Sequence, residues 1–270
     1  MTRPITFLSD YGYDDEFAGV CRAVIARIAP DARVIDLTHG VARHDVRVGA
    51  AVLANALAYA PAGVHLAVVD PGVGSERPAV AVRAARGEHL LVGPDNGLLW
   101  PALDRFGGAV EAVDVSRSPV RLEPVSATFH GRDVFAPVAA TLAAGATLAD
   151  VGVPIDAAGL ARVERRAPRV GPGHAVAATV SHVDRFGNAA LDLRAPEAEG
   201  AGLRLGARVV VEVGGTSHAA TYAVTFADVR ADVLLVYLDS YGNLALAVNR
   251  GSAAARLALA PGEEVMLRVE

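Results

Sequence analysis

Residues 64–77, VHLAVVDPGVGSER, join an apolar run to a carboxylate at Asp70 and an arginine at Arg77. The run is typical of a buried strand, because strands covered on both faces are continuously apolar. Open α/β sheets bind ligands just beyond the carboxyl ends of their strands, so Asp70 stands where a ligand-binding or catalytic acid is expected. Asp-Pro and Pro-Gly are also ordinary turn residues, and this segment alone favours a turn and a functional site equally.

Strand and helix patterns alternate around this segment through the first half of the chain. The predicted strands span 5–9, 34–37, 64–69, 79–82, 90–92 and 109–113, and the predicted helices span 17–28, 46–59 and 98–106. Alternation of this kind predicts an α/β domain, with a mostly parallel sheet flanked by helices. We place this domain at residues 1–168, because residues 165–173 turn to Arg, Pro and Gly, as linkers do.

The pattern after the linker is different and contains only short β-type runs. These runs span 175–183, 207–213, 233–238, 244–248 and 264–269. Several short strands with regular turns predict an all-β, barrel-like domain, which we place at residues 174–270. Gly214-Gly215 lies between two β-type runs and predicts a hairpin.

Composition excludes several classes of function. The chain has 270 residues, 52% of them hydrophobic, so it can bury a sizeable core. The net charge is −5 and the sequence predicts no broad basic surface, so no nucleic-acid partner is expected. All 25 basic residues are arginine, which excludes a Schiff-base or P-loop lysine. The single Cys21 suits a reducing compartment, and without a signal-peptide pattern or a membrane-length apolar stretch we expect a cytoplasmic protein with no membrane partner.

Three further loops carry side chains suited to ligand binding. Asp10 ends the first predicted strand, where a carboxylate suits paired ribose hydroxyls. Phe129 and His130 precede a glycine and would suit an aromatic-walled pocket with a polar group, although a lone histidine is more often structural. Asp184 and Asn188 would suit an amino-acid head group, but their spacing alone favours an Asx-type turn.

Other polar residues receive local interpretations. Asp14 or Asp15 is predicted to cap the first helix, and Asp95 or Asn96 the third. A further group of acids and histidines invites a metal site: Asp36, His39, His44 and Asp45. Its spacing matches neither structural zinc patterns nor HExxH, so no metal site is predicted.

Eight ordered segments resemble the S-adenosyl-L-methionine (SAM) hydroxide adenosyltransferases, a family related to the fluorinase and chlorinase enzymes. They are FLSDYG, VIDLTHGV, VVDPGVGSER, GPDNGLL, TFHGRDVFAP, VDRFGN, TFADV and YLDSYGNLALAVNRGSA. The resemblance implies a homotrimer that binds SAM between the N-terminal domain of one subunit and the C-terminal domain of the next. It also implies hydrolysis of SAM to adenosine and L-methionine by attack of water or hydroxide on ribose C5′, without a cofactor.

The resemblance implies roles for particular residues at the matching positions. The water-handling set is Asp70, Arg77 and His130. The substrate-binding set is Asp10 at the ribose, Asp184, Asn188 and Ser240 at the methionine end, and Phe226 with Val248-Asn249-Arg250 at the adenine side. Phe129, predicted above from the sequence itself, is added to this set as part of the pocket wall. Our hypothesis is that His130 and Arg77 hold the water while Asp70 orients and balances them. The alternative, in which Asp70 itself accepts the proton, stays open.

Two other functions are ranked below hydrolysis. A non-catalytic SAM-binding or sensing protein would use the same pocket, but binding a cationic sulfonium does not call for Arg77. Residual halogenase activity is the third candidate function. The halogenases carry a tyrosine where this chain has Asp70 and a Tyr-Ser pair where it has His130-Gly131, so the halide pocket is missing.

Two more positions depart from the halogenase pattern. His44 stands where a tryptophan packs the ribose, and Tyr241 where an arginine follows the serine. Substrate contacts at these positions are therefore expected to differ from those of the halogenases.

Overall fold

Two units, residues 1–163 and 164–270, make up the chain. The structure, a computed structural model, describes residues 2–163, 166–171 and 175–270. The predicted linker at 165–173 lies partly outside these described residues. None of the helices within the described ranges has the length and apolar character needed to cross a membrane.

The first unit contains one sheet and five α-helices. Its strands are β1 (Ile5–Ser9), β2 (Val34–Thr38), β3 (Val64–Val68), β4 (Ala79–Ala84), β5 (Leu90–Pro94), β6 (Ala109–Asp114) and β7 (Val153–Ile155). Its helices are α1 (Phe17–Ile28), α2 (Val46–Leu57), α3 (Trp100–Arg105), α4 (Ala136–Ala143) and α5 (Leu148–Val151). A π-helical turn (Gly131–Phe135) leads into α4, and a 3₁₀ turn (Ala157–Gly159) follows β7.

The sheet has the order β2-β1-β3-β5-β4-β6-β7. Strands β2, β1, β3 and β5 are parallel, and β4, β6 and β7 join through antiparallel pairs. Helices α1 and α4 contribute to one buried core, and α2 and α3 contribute to another. Every residue of β1 and β3 is buried, which explains why their sequences are mainly apolar. The predicted α/β architecture is confirmed.

The predicted helix caps are wrong. Helix α1 begins after Glu16, whose side chain makes no capping hydrogen bond, so neither Asp14 nor Asp15 caps it. Helix α3 begins further along the chain than predicted and has no side-chain cap: Asp95 accepts the N–H of Ala161, and Asn96 Oδ1 accepts the N–H of Leu98, which precedes the helix.

The described residues of the second unit form a closed barrel and two short helices. Its strands are β8 (Arg169–Val170), β9 (Val176–Val183), β10 (Ala189–Arg194), β11 (Arg208–Val213), β12 (Thr216–Tyr222), β13 (Leu234–Leu238), β14 (Asn243–Val248) and β15 (Glu264–Val269). Its helices are α6 (Ala195–Gly200) and α7 (Ala253–Leu257), and a 3₁₀ turn spans Phe226–Asp228.

Seven strands close this barrel in the order β10-β14-β13-β12-β11-β15-β9, because β9 also pairs with β10. Strand β8 adds to the outside of β9. The predicted barrel-like domain is confirmed, and so is the hairpin at Gly214-Gly215, which joins β11 to β12. Strand β10 is absent from the prediction, although its residues alternate between buried and half-buried as a barrel strand requires.

Candidate active site

Asp70, Arg77 and His130 meet at the edge of the first sheet. Asp70 follows β3, Arg77 precedes β4, and His130 precedes the π-helical turn. Arg77 Nη2 donates a hydrogen bond to Asp70 Oδ2 and lies 3.4 Å from His130 Nδ1. Arg77 Nη1 donates to the carbonyl of Pro78 at 2.8 Å, and the guanidinium lies 5.5 Å from the Phe135 ring centroid. The arginine is therefore fixed between the carboxylate and the imidazole.

Two glycines allow the loops of this site to approach closely. Gly74 has a φ of +77°, and a Cβ at that position would overlap the carbonyl of Ala127. A Cβ at Gly131 would overlap the hydroxyl of Tyr11. Only glycine fits both positions without moving the backbone or the tyrosine.

The Asp70–Arg77 ion pair is buried, with the two side chains 6% and 9% exposed. Burial raises the pKa of Asp70 above its ordinary value, against the opposing charge and hydrogen bond of Arg77. Burial and the charge of Arg77 together lower the pKa of His130. His130 is therefore neutral at pH 7.

The hydrogen bonds assign the proton on His130. A guanidinium only donates, so the Nδ1 of His130 that faces Arg77 accepts, and the proton of the neutral ring lies on Nε2. Asp70 Oδ2 bonds to Arg77, while its buried Oδ1 has no hydrogen-bond partner among the described residues. Within the described residues, the set thus offers one N–H donor and one buried carboxylate oxygen that Arg77 does not occupy.

A cavity of about 480 Å³ lies against this set, within the size range of small-molecule sites. Four predicted site residues line it: Asp10, Asp70, Phe129 and His130. His44, expected at the ribose from the comparison with the halogenases, also lines it, and further lining residues are missing from the prediction, among them Tyr11, Asp15, Phe17, Arg43 and Thr128. Their nearness in sequence to Asp10, to the histidine-containing loop after β2 and to Phe129 is the signal that could have identified them.

Asp10 and Phe129 are held by their neighbours. Asp10 Oδ2 accepts a hydrogen bond from the backbone N–H of His44 at 2.8 Å. The Phe129 ring meets the rings of Tyr11 and Phe17 nearly edge-on, with centroid distances of 5.8 and 5.1 Å. One side of the cavity is therefore aromatic, and a carboxylate stands beside it.

Asn96 supports the site from behind, and the neighbouring Asp95 bonds elsewhere. The Asn96 side-chain amide donates to the carbonyl of Val69 at 2.9 Å, directly before Asp70. Asp95 Oδ1 accepts from the backbone N–H of Ala161 at 2.8 Å. Asn96 thus holds the chain directly before Asp70, whereas Asp95 ties the loop after β5 to the segment at Ala161, and neither residue caps α3.

In the second unit, Asp184 and Asn188 bond to each other. Asp184 Oδ1 accepts the backbone N–H of Asn188 at 2.9 Å, and its Oδ2 accepts the Asn188 side-chain amide at 2.8 Å. The Asx-type turn predicted from the spacing is confirmed. Asp239 and Asn243, on either side of Ser240, form the same turn between β13 and β14. The sequence marks this repetition, because DRFGN and DSYGN share the pattern Asp-x-aromatic-Gly-Asn.

The remaining predicted residues lie around strand β14. Ser240 precedes this strand and the buried Val248 ends it, so the structure places these two at opposite ends of the strand. Arg250 follows in a left-handed conformation, with a φ of 60°. The Phe226 ring lies 5.1 Å from that of Tyr237 on β13.

Both halves of the chain match models of one protein family. The model of the SAM hydroxide adenosyltransferase N-terminal domain matches residues 5–152, and that of the C-terminal domain matches residues 178–266. The chain belongs to the SAM hydroxide adenosyltransferase family. The resemblance that rested on eight short segments is thereby confirmed.

Relatives extend over nearly the whole chain. An (R)-S-adenosyl-L-methionine hydrolase of Salinispora arenicola is 48% identical over 262 residues, covering 97% of this chain and 96% of the relative. A fluorinase of Nocardia brasiliensis is 29% identical and covers 99% and 97%. A crystal structure of an uncharacterized conserved protein from Thermotoga maritima superposes with a TM-score of 0.90 at 36% identity, covering 98% and 99%.

Proposed function

We propose that this protein hydrolyses SAM to adenosine and L-methionine. One observation carries the proposal: a buried carboxylate, arginine and neutral imidazole meet at a cavity of small-molecule size. The 48% identity to a relative named as an (R)-SAM hydrolase supports the same activity.

The proposed reaction is displacement at ribose C5′ by water. The water oxygen bonds to C5′, the C5′–S bond breaks with its electron pair passing to sulfur, and methionine leaves as a neutral thioether. No general acid is needed at the leaving group, so the site has to hold the nucleophile in line and take its proton. Positioning is a large contribution in such displacements, and a placed base adds about 10²–10⁴-fold.

The two functional side chains take different parts in this step. The Nε2–H of His130 holds the water oxygen as a donor, since its Nδ1 faces Arg77. Asp70 Oδ1 accepts the proton, because its other oxygen is bound to Arg77 and its raised pKa makes it a better base. This assignment chooses between the two alternatives that the sequence leaves open.

The substrate contacts belong to the same proposal. Asp10 binds the ribose hydroxyls and Phe129 forms the pocket wall. The barrel residues follow the family pattern: Asp184, Asn188 and Ser240 toward methionine, and Phe226, Val248 and Arg250 toward adenine. We further propose a homotrimer with the site completed by a neighbouring subunit, no cofactor, no nucleic-acid or membrane partner, and a cytoplasmic location.

Two observations weigh against the other candidate functions. An ionised Asp70 at the reacting end repels a halide, which disfavours halogenation. A pocket for binding alone gains nothing from placing Arg77 near a cationic sulfonium.

The test is incubation of the purified protein with SAM in ¹⁸O-labelled water, with products identified by mass spectrometry. We expect adenosine labelled at its 5′ oxygen and an equal amount of methionine. Intact SAM that still binds in calorimetry would establish the sensing function instead. A 5′-halogenated nucleoside formed in the presence of chloride or fluoride would establish halogenation.

A further inference from the structure

An irregularity between β1 and β2 brings two buried polar residues together. Phe7 pairs with Asp36, but Leu8 pairs with Thr38, so the register skips one residue of β2. Such bulges re-aim the side chains that follow them. Here the shift places His39 beside Ser9.

His39, in the loop after β2, makes three hydrogen bonds to the end of β1 and to the loop that follows it. Its Nδ1 lies 2.8 Å from Ser9 Oγ, its carbonyl accepts the N–H of Gly12 at 2.8 Å, and its own N–H donates to Tyr13 Oη at 3.0 Å. These partners lie on both sides of Asp10 in the sequence. The main chain that carries Asp10 is thereby held at both ends by one residue.

The neighbouring Asp36 carboxylate determines which group donates the hydrogen bond between Ser9 and His39. His39 Nε2 lies 3.4 Å from Asp36 Oδ1, and a carboxylate favours the tautomer with its proton on that nitrogen. Nδ1 then accepts from the Ser9 hydroxyl, which itself accepts the N–H of Tyr11 at 3.3 Å. Burial lowers the pKa of His39, so the ring stays neutral and this pattern is stable at pH 7.

Ser9, His39 and Asp36 are the residue types of a catalytic Ser-His-Asp triad, but they do not form a nucleophilic site. Ser9 is 0% exposed and His39 2% exposed, so no substrate reaches the hydroxyl. The imidazole instead packs against the ring of Phe7, with centroids 4.6 Å apart.

The loop after β2 also contacts the Asp10 carboxylate directly. The N–H of His44, which has a φ of 65°, donates to Asp10 Oδ2 at 2.8 Å. The direction of the carboxylate therefore depends on the relative position of the two loops, and His39 fixes that position.

We propose that His39 is a positioning residue that orients the Asp10 carboxylate toward the ribose hydroxyls of the substrate. The inference rests on the proposed function, because Asp10 has a ribose to bind only if the cavity takes SAM. It adds a residue that lies outside the cavity and acts through hydrogen bonds to the loop that carries Asp10.

The test compares adenosine with 2′,3′-dideoxyadenosine, which lacks both ribose hydroxyls, by calorimetry on the full-length protein. The wild type should prefer adenosine. In His39→Ala the affinity for adenosine should fall about tenfold while that for the dideoxy compound barely changes, since a charge-assisted hydrogen bond is worth at least this much. His39→Asn keeps an acceptor for Ser9 and should restore part of the preference.

Two further variants keep the test decisive. Ser9→Ala removes only the hydroxyl and should reduce the preference even if His39→Ala fails to fold. His65→Ala is the matched control, because His65 is equally buried in the neighbouring strand and bonds to Thr6 away from the cavity. This variant should lose stability but keep the preference for adenosine.

The outcomes separate this inference from the proposed function. A wild type that neither binds adenosine nor cleaves SAM overturns the proposed function. A wild type that prefers adenosine, with the same preference in His39→Ala and Ser9→Ala, overturns the role of His39 and leaves the hydrolase intact. Equal weakening of both ligands shows a general structural role and also overturns it.

Discussion

Replacing Asp70 by asparagine removes the charge of the proposed base while keeping its shape. Two effects follow from the structure, one on stability and one on rate. Because Asp70 and Arg77 are 6% and 9% exposed, the pair belongs with buried rather than surface ion pairs. Removing one member of such a pair costs about 3–5 kcal/mol, because the remaining charge stays buried without compensation. Asparagine still accepts a hydrogen bond from Arg77, so we expect a loss near 3 kcal/mol, at the lower end of that range.

The effect on rate is measured separately from the effect on stability. Asparagine cannot take a proton, so turnover should fall about 10²–10⁴-fold, while the Michaelis constant for SAM changes little. Urea unfolding measures the first effect, and chromatographic assay of adenosine at saturating SAM measures the second. Asp95→Asn is the matched control, because burial also raises the pKa of Asp95 but its carboxylate bonds to Ala161. This control should keep its turnover.

The pH profile gives a second readout of the same perturbation. A base must be ionised, so activity is lost as the pH falls through the pKa of Asp70. Burial raises that pKa, which places the acid limb above the ordinary value of about 3.9 for aspartate. The residual activity of Asp70→Asn should lack this limb. A folded Asp70→Asn protein with wild-type turnover would refute the reasoning.

Two other predictions concern histidines. His130→Gln places an amide donor near the position of Nε2 and should keep more turnover than His130→Ala, whereas equal losses in a SAM cleavage assay would make the imidazole the base. Burial, with a smaller contribution from His89, lowers the pKa of His65 to about 3, so below pH ~6.5 the unfolded chain binds a proton that the folded chain does not. The free energy of unfolding is therefore unaffected by His65 above pH ~6.5 and falls by about 1.4 kcal/mol per pH unit on acidification toward pH 3. His65→Asn should flatten this dependence in urea titrations at pH 7 and pH 5, and unchanged slopes would contradict the assignment.

The sequence by itself determined the two-domain architecture. Strands β1 and β3 are mainly apolar because they are buried on both faces, and this pattern is visible within each short segment of sequence. The position of Asp70 at the end of β3 follows from the same reading. The Asx-type turn at Asp184 is also local, since all of its hydrogen bonds form within five consecutive residues.

Tertiary structure decided what those residues contact. Arg77 meets His130 across 53 positions of the chain, and no periodicity encodes that distance. The predicted caps at Asp95 and Asn96 are wrong, because Asp95 binds the distant N–H of Ala161 and Asn96 joins the N–H of Leu98, ahead of α3, to the carbonyl of Val69.

The contacts of His39 are the clearest example of a feature that the sequence does not predict. In the sequence, His39 is considered only as a metal ligand, and the spacing of the group argues against a metal site. In the structure, one skipped residue in the pairing of β1 with β2 places His39 against Ser9. The periodicity of apolar residues in a short segment predicts burial, because each side chain faces either the core or the solvent. Hydrogen-bond partners depend on strand register and loop approach, and these are set only when the whole sheet packs.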